Sequence, residues 1–345
     1  RKANKEAAAA ARHLGALAYM NNPKEALRAY RKAVQLDPDD VEGWNRLGIL
    51  LWRTGELAQS EEAYRKVLAF GEAHQNKEWQ AIALGNLGIV YKTRGKLDKA
   101  EEMYGKALEI DEALGNKESM ANAYSNLGTV YQKRGELDKA EEIYSKGLEL
   151  DKALGRKEGM AAKYNNLGTV YQARGELNKA EEMYGKALEI DEALGSKGGV
   201  AIAYGSLGIV YGIRGELDKA EEMYGKALEI DEALGNKESM AKSYGNLGIV
   251  YQKQGKLDEA EEMHWKALNL NESLGCKEGM AIQYSNLGSL YEQCGNFDQA
   301  EAAWRKSLSL YRAMGLPDAE EMQQWLDNLD QYRASQQAPP ADNPR

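Results

Sequence analysis

Apolar positions recur along this chain three and four residues apart, in bursts that themselves repeat. Leu84, Leu87, Gly88 and Tyr91 fall on one side of a helix at about 100° per residue. Leu97, Ala100, Tyr104, Ala107, Leu108 and Leu114 then form a second stripe at the same spacing, with polar residues filling the other faces. Between the stripes, Arg94-Gly95 offers a cation for a last helical turn and a glycine able to take the left-handed cap. Leu114-Gly115 closes the second stripe in the same way. Asp98-Lys-Ala-Glu101 reads as a capping box opening the second helix, recurring at Asp138 and Asp218. Each unit is therefore predicted to be a helical hairpin. The i,i+4 pairs Glu102–Lys106, Glu142–Lys146 and Glu182–Lys186 mark its solvated outer face, at about 0.3 kcal/mol each.

Glycines at 48, 88, 128, 168, 208, 248 and 288 lie forty residues apart, and Leu14-Gly15 sits thirty-three residues before Leu47-Gly48. A glycine inside a helix costs about 1 kcal/mol relative to alanine, so these positions need a compensating contact. Close approach of the paired helices supplies one, with Ala100 expected opposite Gly88. The succession Leu-Gly, Tyr, Gly, Ala, Tyr, Ala resembles the tetratricopeptide repeat, and Pro38 in "QLDPDD" stands where that family has its closing proline. The forty-residue period is similar to the longer-helix variant of kinesin light chains and Pins-type polarity adaptors. The added segment "EALGNKES" is expected to lengthen both helices.

The resemblance implies an all-α, right-handed superhelical solenoid of about eight hairpins within residues 1–316. Approximate units are 8–40, 41–80, 81–120, 121–160, 161–200, 201–240, 241–280 and 281–316. Over 317–334, Met322, Trp325, Leu326, Leu329 and Tyr332 make one apolar stripe, predicting a helix that caps the last exposed core. A partner-binding helix is the alternative. The polar, Pro-rich segment 335–345 is expected to be disordered.

Lys and Arg total 45 against 54 Asp and Glu, a net charge of -9. That balance excludes the basic surface that non-specific nucleic-acid or anionic-membrane binding requires. No apolar run approaches the ~18 residues of a membrane span. Two cysteines, Cys276 and Cys294, lie too far apart along a helix to bridge, so the chain reads as reduced and cytoplasmic. A start at Arg1 and a linker-like tail suggest a piece of a longer polypeptide.

No catalytic constellation emerges. His13, His74 and His264 have no Cys or carboxylate at metal-ligand spacing, and His264 stands in the place of the repeat's core tyrosine. The paired Glu101-Glu102 point about 100° apart on a helix and are read as solvated. With no phosphate loop, nucleotide fingerprint or nucleophile elbow, no enzyme activity, cofactor or metal is predicted. Trp44, Trp52, Trp79, Trp265, Trp304 and Trp325 avoid the central units and are expected in end-repeat cores, with Trp52 within reach of the groove.

The first helices line the concave side in the family that the chain resembles. Opposite the core stripe lie Ile82, Asn86, Ile89 and Thr93, with matching sets in later units. Asn86, Asn126, Asn166, Asn246 and Asn286 thereby form a row of one amide per repeat. An amide offers both a donor and an acceptor, as the backbone of an extended peptide requires. The asparagine row in the superhelix of O-GlcNAc transferase is a similar arrangement. Two other readings stay open: bridges between repeats, or persistence through duplication. Gly85, Ser125, Gly205, Gly245 and Ser285 precede the row and leave room for a backbone. Arg46, Arg53, Lys133, Lys242 and Lys253 face Glu42 alone, which points to an extended peptide partner with some acidic residues. In unit six, Ile202, Ile209 and Ile213 share a groove-facing stripe, either a contact patch or buried by neighbours. The predicted function is a protein-binding scaffold. Alternatives are the sensor region of a larger signalling protein and a small-molecule receptor at unit six. The lysine clamp of chaperone-binding members is not matched, since Gly85 and Ile89 occupy its further places.

Overall fold

Residues 2–337 are described in the computed structural model, with side chains through Arg333. They are helical throughout and divide into two units, Arg1–Gly175 and Glu176–Arg345. The first unit carries α1 (Lys2–Ala18), α2 (Pro23–Leu36), α3 (Val41–Arg53), α4 (Leu57–Ala73), α5 (Lys77–Thr93), α6 (Leu97–Leu114), α7 (Lys117–Lys133), α8 (Leu137–Leu154) and α9 (Lys157–Ala173). The second carries α10 (Leu177–Leu194), α11 (Lys197–Arg214), α12 (Leu217–Leu234), α13 (Lys237–Gln254), α14 (Leu257–Leu274), α15 (Lys277–Gln293), α16 (Phe297–Met314) and α17 (Asp318–Gln337).

Helix starts fall four residues earlier than the unit boundaries at 81, 121, 201, 241 and 281 suggest. The reason is the cap. Asn76 accepts from the Trp79 N–H at 3.0 Å, and Asn116 and Asn236 from those of Ser119 and Ser239 at 3.3 Å, which opens α5, α7 and α13 inside the "NKE" segments. Because "EALGNKES" holds both this cap and the left-handed Gly115 (φ 68°) that ends α6, it lengthens the helices on both sides.

The expected capping boxes are absent. The cap residues of α6, α8 and α12 are Lys96, Glu136 and Glu216, none with a side-chain cap bond. Asp98 and Glu101 turn instead toward the following hairpin. Glu101 accepts from the Tyr131 hydroxyl at 2.7 Å and pairs with Arg134, whose other nitrogen reaches Asp98 at 2.6 Å. Glu101 is therefore only partly solvated, and it ties a second helix to the next first helix. The same tie joins Glu61 to Tyr91 and Arg94, and Glu181 to Tyr211 and Arg214. In the second unit α17 repeats it, with Arg333 on Glu301 at 2.5 Å and on Asp298 at 2.6 Å.

The residue opposite Gly88 is Tyr104, not Ala100. A Cβ at Gly88 would sit 2.5 Å from the ring, and Gly48 stands likewise at 2.7 Å from Tyr64 and Gly208 from Tyr224. The helical glycine thus seats a flat ring across the hairpin, with His264 against Gly248 and Trp304 against Gly288 as variants. Cores run continuously from hairpin to hairpin within each unit. Tyr64, Leu87, Val90, Tyr104, Leu127 and Val130 form one such cluster, since a lone hairpin leaves one side bare.

Gly105, in the middle of α6, meets nothing within 4 Å. Gly105→Ala should therefore stabilise by about 0.8 kcal/mol through helix propensity. Gly88→Ala gains the same propensity but should destabilise by about 1 kcal/mol net, because the Tyr104 ring must move. Urea unfolding midpoints of the two variants, shifting in opposite directions, check this.

Met322, Leu326 and Leu329 of α17 are buried with Trp304 and Tyr311, and Trp325 meets Trp304 edge-on at 5.5 Å. Tyr332 remains largely exposed beside Phe297. The helix runs three residues past the boundary expected at 334, and the rest of the expected tail, 338–345, lies outside the described residues.

Candidate functional site

Within the first unit α3 contacts α5, α5 contacts α7 and α7 contacts α9, and within the second α11 contacts α13 and α13 contacts α15. Second helices do not approach one another as closely, so each unit has an inner face built from first helices. All five row asparagines are half-buried on this face. Asn86 donates to Asn45 Oδ1 at 3.1 Å, and Asn126 accepts from Lys92 Nζ at 2.9 Å. Each keeps bonding capacity: Asn86 its carbonyl and Asn126 both amide hydrogens. Among the described residues, the side chains of Asn166, Asn246 and Asn286 have no hydrogen-bond partner.

Between α5 and α7 the face opens into a cavity of about 390 Å³. Ile82, Gly85, Asn86 and Ile89 form one wall, Ser119, Asn122, Ala123 and Asn126 the other. The floor is one face of α6, with Tyr104, Ala107 and Asp111 at i, i+3 and i+7. Gly85 meets nothing within 4 Å and does leave room at the row. Gly245 does not, because Gln283 fills the space beside it, 2.7 Å from where a Cβ would stand.

The charge of the face differs from the sequence expectation. Arg46 is neutralised by Glu42 at 2.5 Å and Lys242 by Glu238 at 2.7 Å, while Arg53 lies 4.5 Å over the Tyr19 ring. Lys133 and Lys253 are exposed, with no side-chain partner among the described residues. Lys92 is a cation that the repeat pattern did not single out. Burial, and then the charge of Lys133, pulls its ammonium below the ordinary lysine range. The cavity itself is acidic: Glu78 and Asp111 are its charged lining residues, and burial pushes the Asp111 carboxyl upward.

In the second unit the expected isoleucine stripe divides. Ile209 and Ile213 of α11 line a cleft of about 220 Å³ with Ile249, Asn246 and Lys253 of α13. Ile202, 57% exposed, stands outside it, whereas Ile209 packs onto the core around Tyr224. Trp52 reaches the inner face, its indole N–H bonding Thr93 Oγ1 at 3.0 Å. Trp265 is exposed rather than a core residue, whereas His264 is fully buried with Nδ1 3.0 Å from Gln283 Oε1. Both cysteines are free. Among the described residues no group of three His, Cys, Asp or Glu side chains is placed to hold a metal ion, and no helix is long and apolar enough to cross a membrane.

The model of the family described as tetratricopeptide repeat matches residues 40–113, 119–193, 159–233, 199–273 and 239–313, and a further repeat model matches 16–55. No curated protein matches the chain significantly. Among solved structures, BtubC (BKLC) from P. vanneervenii is 26% identical with a TM-score of 0.56, over 64% of this chain and 92% of that one. The apo form of RapI is 18% identical at a TM-score of 0.67, over 80% and 99%. A signal transduction ATPase with numerous domains and a tetratricopeptide repeat sensor, from Pyrococcus horikoshii, is 18% identical at 0.69, over 93% of this chain and 50% of that one. The last two likenesses are of fold alone.

Proposed function

The chain belongs to the tetratricopeptide repeat family, and from that premise we propose that it is a non-catalytic, cytoplasmic scaffold holding an extended peptide along its inner faces. Solenoids of this family typically serve protein–protein contact. The observation that carries the peptide reading is the row of half-buried amides with unspent bonding capacity. Asn86, Asn126 and Asn166 line one unit and Asn246 and Asn286 the other, each spaced to meet a peptide backbone whatever its side chains. Bridging between repeats, the competing reading, accounts for the Asn86–Asn45 and Lys92–Asn126 bonds but leaves Asn166, Asn246 and Asn286 without a role. Lys133 and Lys253 would meet acidic side chains of the peptide. The cleft at Ile209 and Ile213 would take one apolar side chain. At about 220 Å³ it falls below the ~300 Å³ at which small-molecule sites begin, which favours a peptide anchor over a small-molecule receptor.

Asn126→Ala with Asn166→Ala should weaken a peptide selected against the chain by about 2 kcal/mol, roughly thirtyfold, at about 1 kcal/mol per lost amide contact. The melting temperature should hardly change, since neither side chain ties the core. Titration calorimetry on wild type and double variant measures this, and equal affinities would remove the amide row from the binding site.

A further inference from the structure

From the third repeat onward, one register of the second helix carries Asp111, Asp151, Asp191, Asp231 and Asn271, all buried. Four of these side chains find partners in their own chain. Asp151 has Lys163 Nζ at 2.8 Å and Arg156 Nη1 at 3.2 Å. Asp191 bonds to Ser196, Asp231 accepts from Asn236 at 3.3 Å, and Asn271 donates to the Ala267 carbonyl at 2.9 Å. Asp111, 6% exposed, has no side-chain partner among the described residues, and it lines the cavity between α5 and α7. Tyr104, 1% exposed, also lines the cavity, and its buried hydroxyl has no hydrogen-bond partner. Its counterpart on Tyr144 bonds to Thr129 and Gln132, whose places forty residues earlier hold Ile89 and Lys92.

We propose that this cavity receives the ammonium group of a lysine side chain carried by the bound peptide, with Asp111 as counter-ion. The neighbouring repeat contains the filled version. Lys163 is buried against Asp151, and Gly147 makes space for it, since a Cβ there would lie 3.0 Å from Lys163 Cε. Forty residues earlier the same two places hold Ala123 and Ala107, and both line the cavity. The void is in part the volume that a lysine occupies one repeat later. Arg156, the second cation at Asp151, is replaced by Asn116, so nothing of the chain's own neutralises Asp111. A lysine ammonium has three donors; Asp111 takes one, and Ser119, which lines the cavity, offers a hydroxyl oxygen for another. Glu78 at the cavity adds to the negative potential, and no cation lines it.

This inference rests on the peptide reading for the source of the lysine, but it is tested without the partner. The full chain, with ¹³C-labelled isoleucine and alanine methyls, is titrated with Nα-acetyl-lysine methylamide and with its Nε-acetylated form. The charged ligand should shift the methyls of Ile82, Ile89 and Ala123, and the neutral one should not. Asp111→Asn should weaken the response at least tenfold; Asn271 already stands at this register in a later repeat, so the fold tolerates the amide. The double variant A107G/A123K copies the Gly147 and Lys163 arrangement and should abolish the response. Equal shifts from both ligands, undiminished binding by Asp111→Asn, or a response retained in A107G/A123K would each overturn the lysine pocket. None of these bears on the amide row, which stands or falls with the Asn126 and Asn166 replacements.

Discussion

Replacing Asp151 with alanine should cost about 3 kcal/mol of stability, and adding Lys163→Met to that variant should recover most of the loss. Lys163 is 2% exposed and Asp151 is fully buried. Removing the carboxylate strands the buried Lys163 ammonium without its counter-charge. Arg156 does not share that fate, because its side chain is partly exposed and returns to solvent. The double variant leaves no charge buried, with methionine of similar volume in the place of Lys163, and replacing a buried pair by apolar groups is often close to neutral. Lys163→Met alone should cost less than Asp151→Ala, since Arg156 still faces the remaining carboxylate. Urea unfolding with hydrogen exchange read across α8 and α9 measures all three. A single variant within about 0.5 kcal/mol of wild type, or a double variant no better than the single, would show that the pair carries no such charge penalty.

The hairpins were legible because a 3.6-residue stripe, a glycine stop and a forty-residue period all point one way. What escaped was everything that joins one hairpin to the next. Asp98 and Glu101 have the composition of a capping box, and local chemistry alone favours that reading. In the fold a partner thirty-three residues on, Arg134, outcompetes the cap. A signal was present: Glu61, Glu101, Glu141 and Glu181 are each followed at thirty and thirty-three residues by Tyr and Arg. Helical phase puts the amide row at one register of the first helices, and Asn86, Asn126, Asn166, Asn246 and Asn286 are all half-buried there. Phase says nothing of depth. The cavity depends on how far α5 and α7 stand apart and on Ala107 and Ala123 being small, which the periodicity around Asp111 does not encode. Lys163 follows the same logic: nothing in its own helix marks it as buried until Gly147, sixteen residues earlier, is seen to make room for it.

Glu61→Gln should cost about 1 kcal/mol near neutral pH, and that difference should vanish near pH 3. The glutamine keeps an acceptor for the Tyr91 hydroxyl but loses the charge that meets Arg94. Burial pushes the Glu61 carboxyl up, but the Tyr91 bond and the charges of Arg65 and Arg94 outweigh it and hold it below its ordinary 4.5. Glu101, Glu181 and Glu301 are lowered in the same sense by their Tyr or Arg partners. A carboxyl lowered in the folded state stabilises above its unfolded value, and that stability is lost as pH falls through 4.5 and on through the lowered folded value. Asp111 and Asp191 work in the opposite sense. Burial raises both above 3.8, so their penalty is present at neutral pH and is relieved as pH falls through the raised folded values. As pH falls, relief of these two aspartates therefore opposes the stability lost from the glutamate ties. On the alkaline side Tyr131 and Tyr211 are pushed up to about 12, first by burial and then by Glu101 and Glu181, so the unfolded chain ionises first and stability falls above pH 10. Urea midpoints of wild type and Glu61→Gln across this range give the profile. A variant difference that persists near pH 3 would mean that the ties contribute through shape rather than charge.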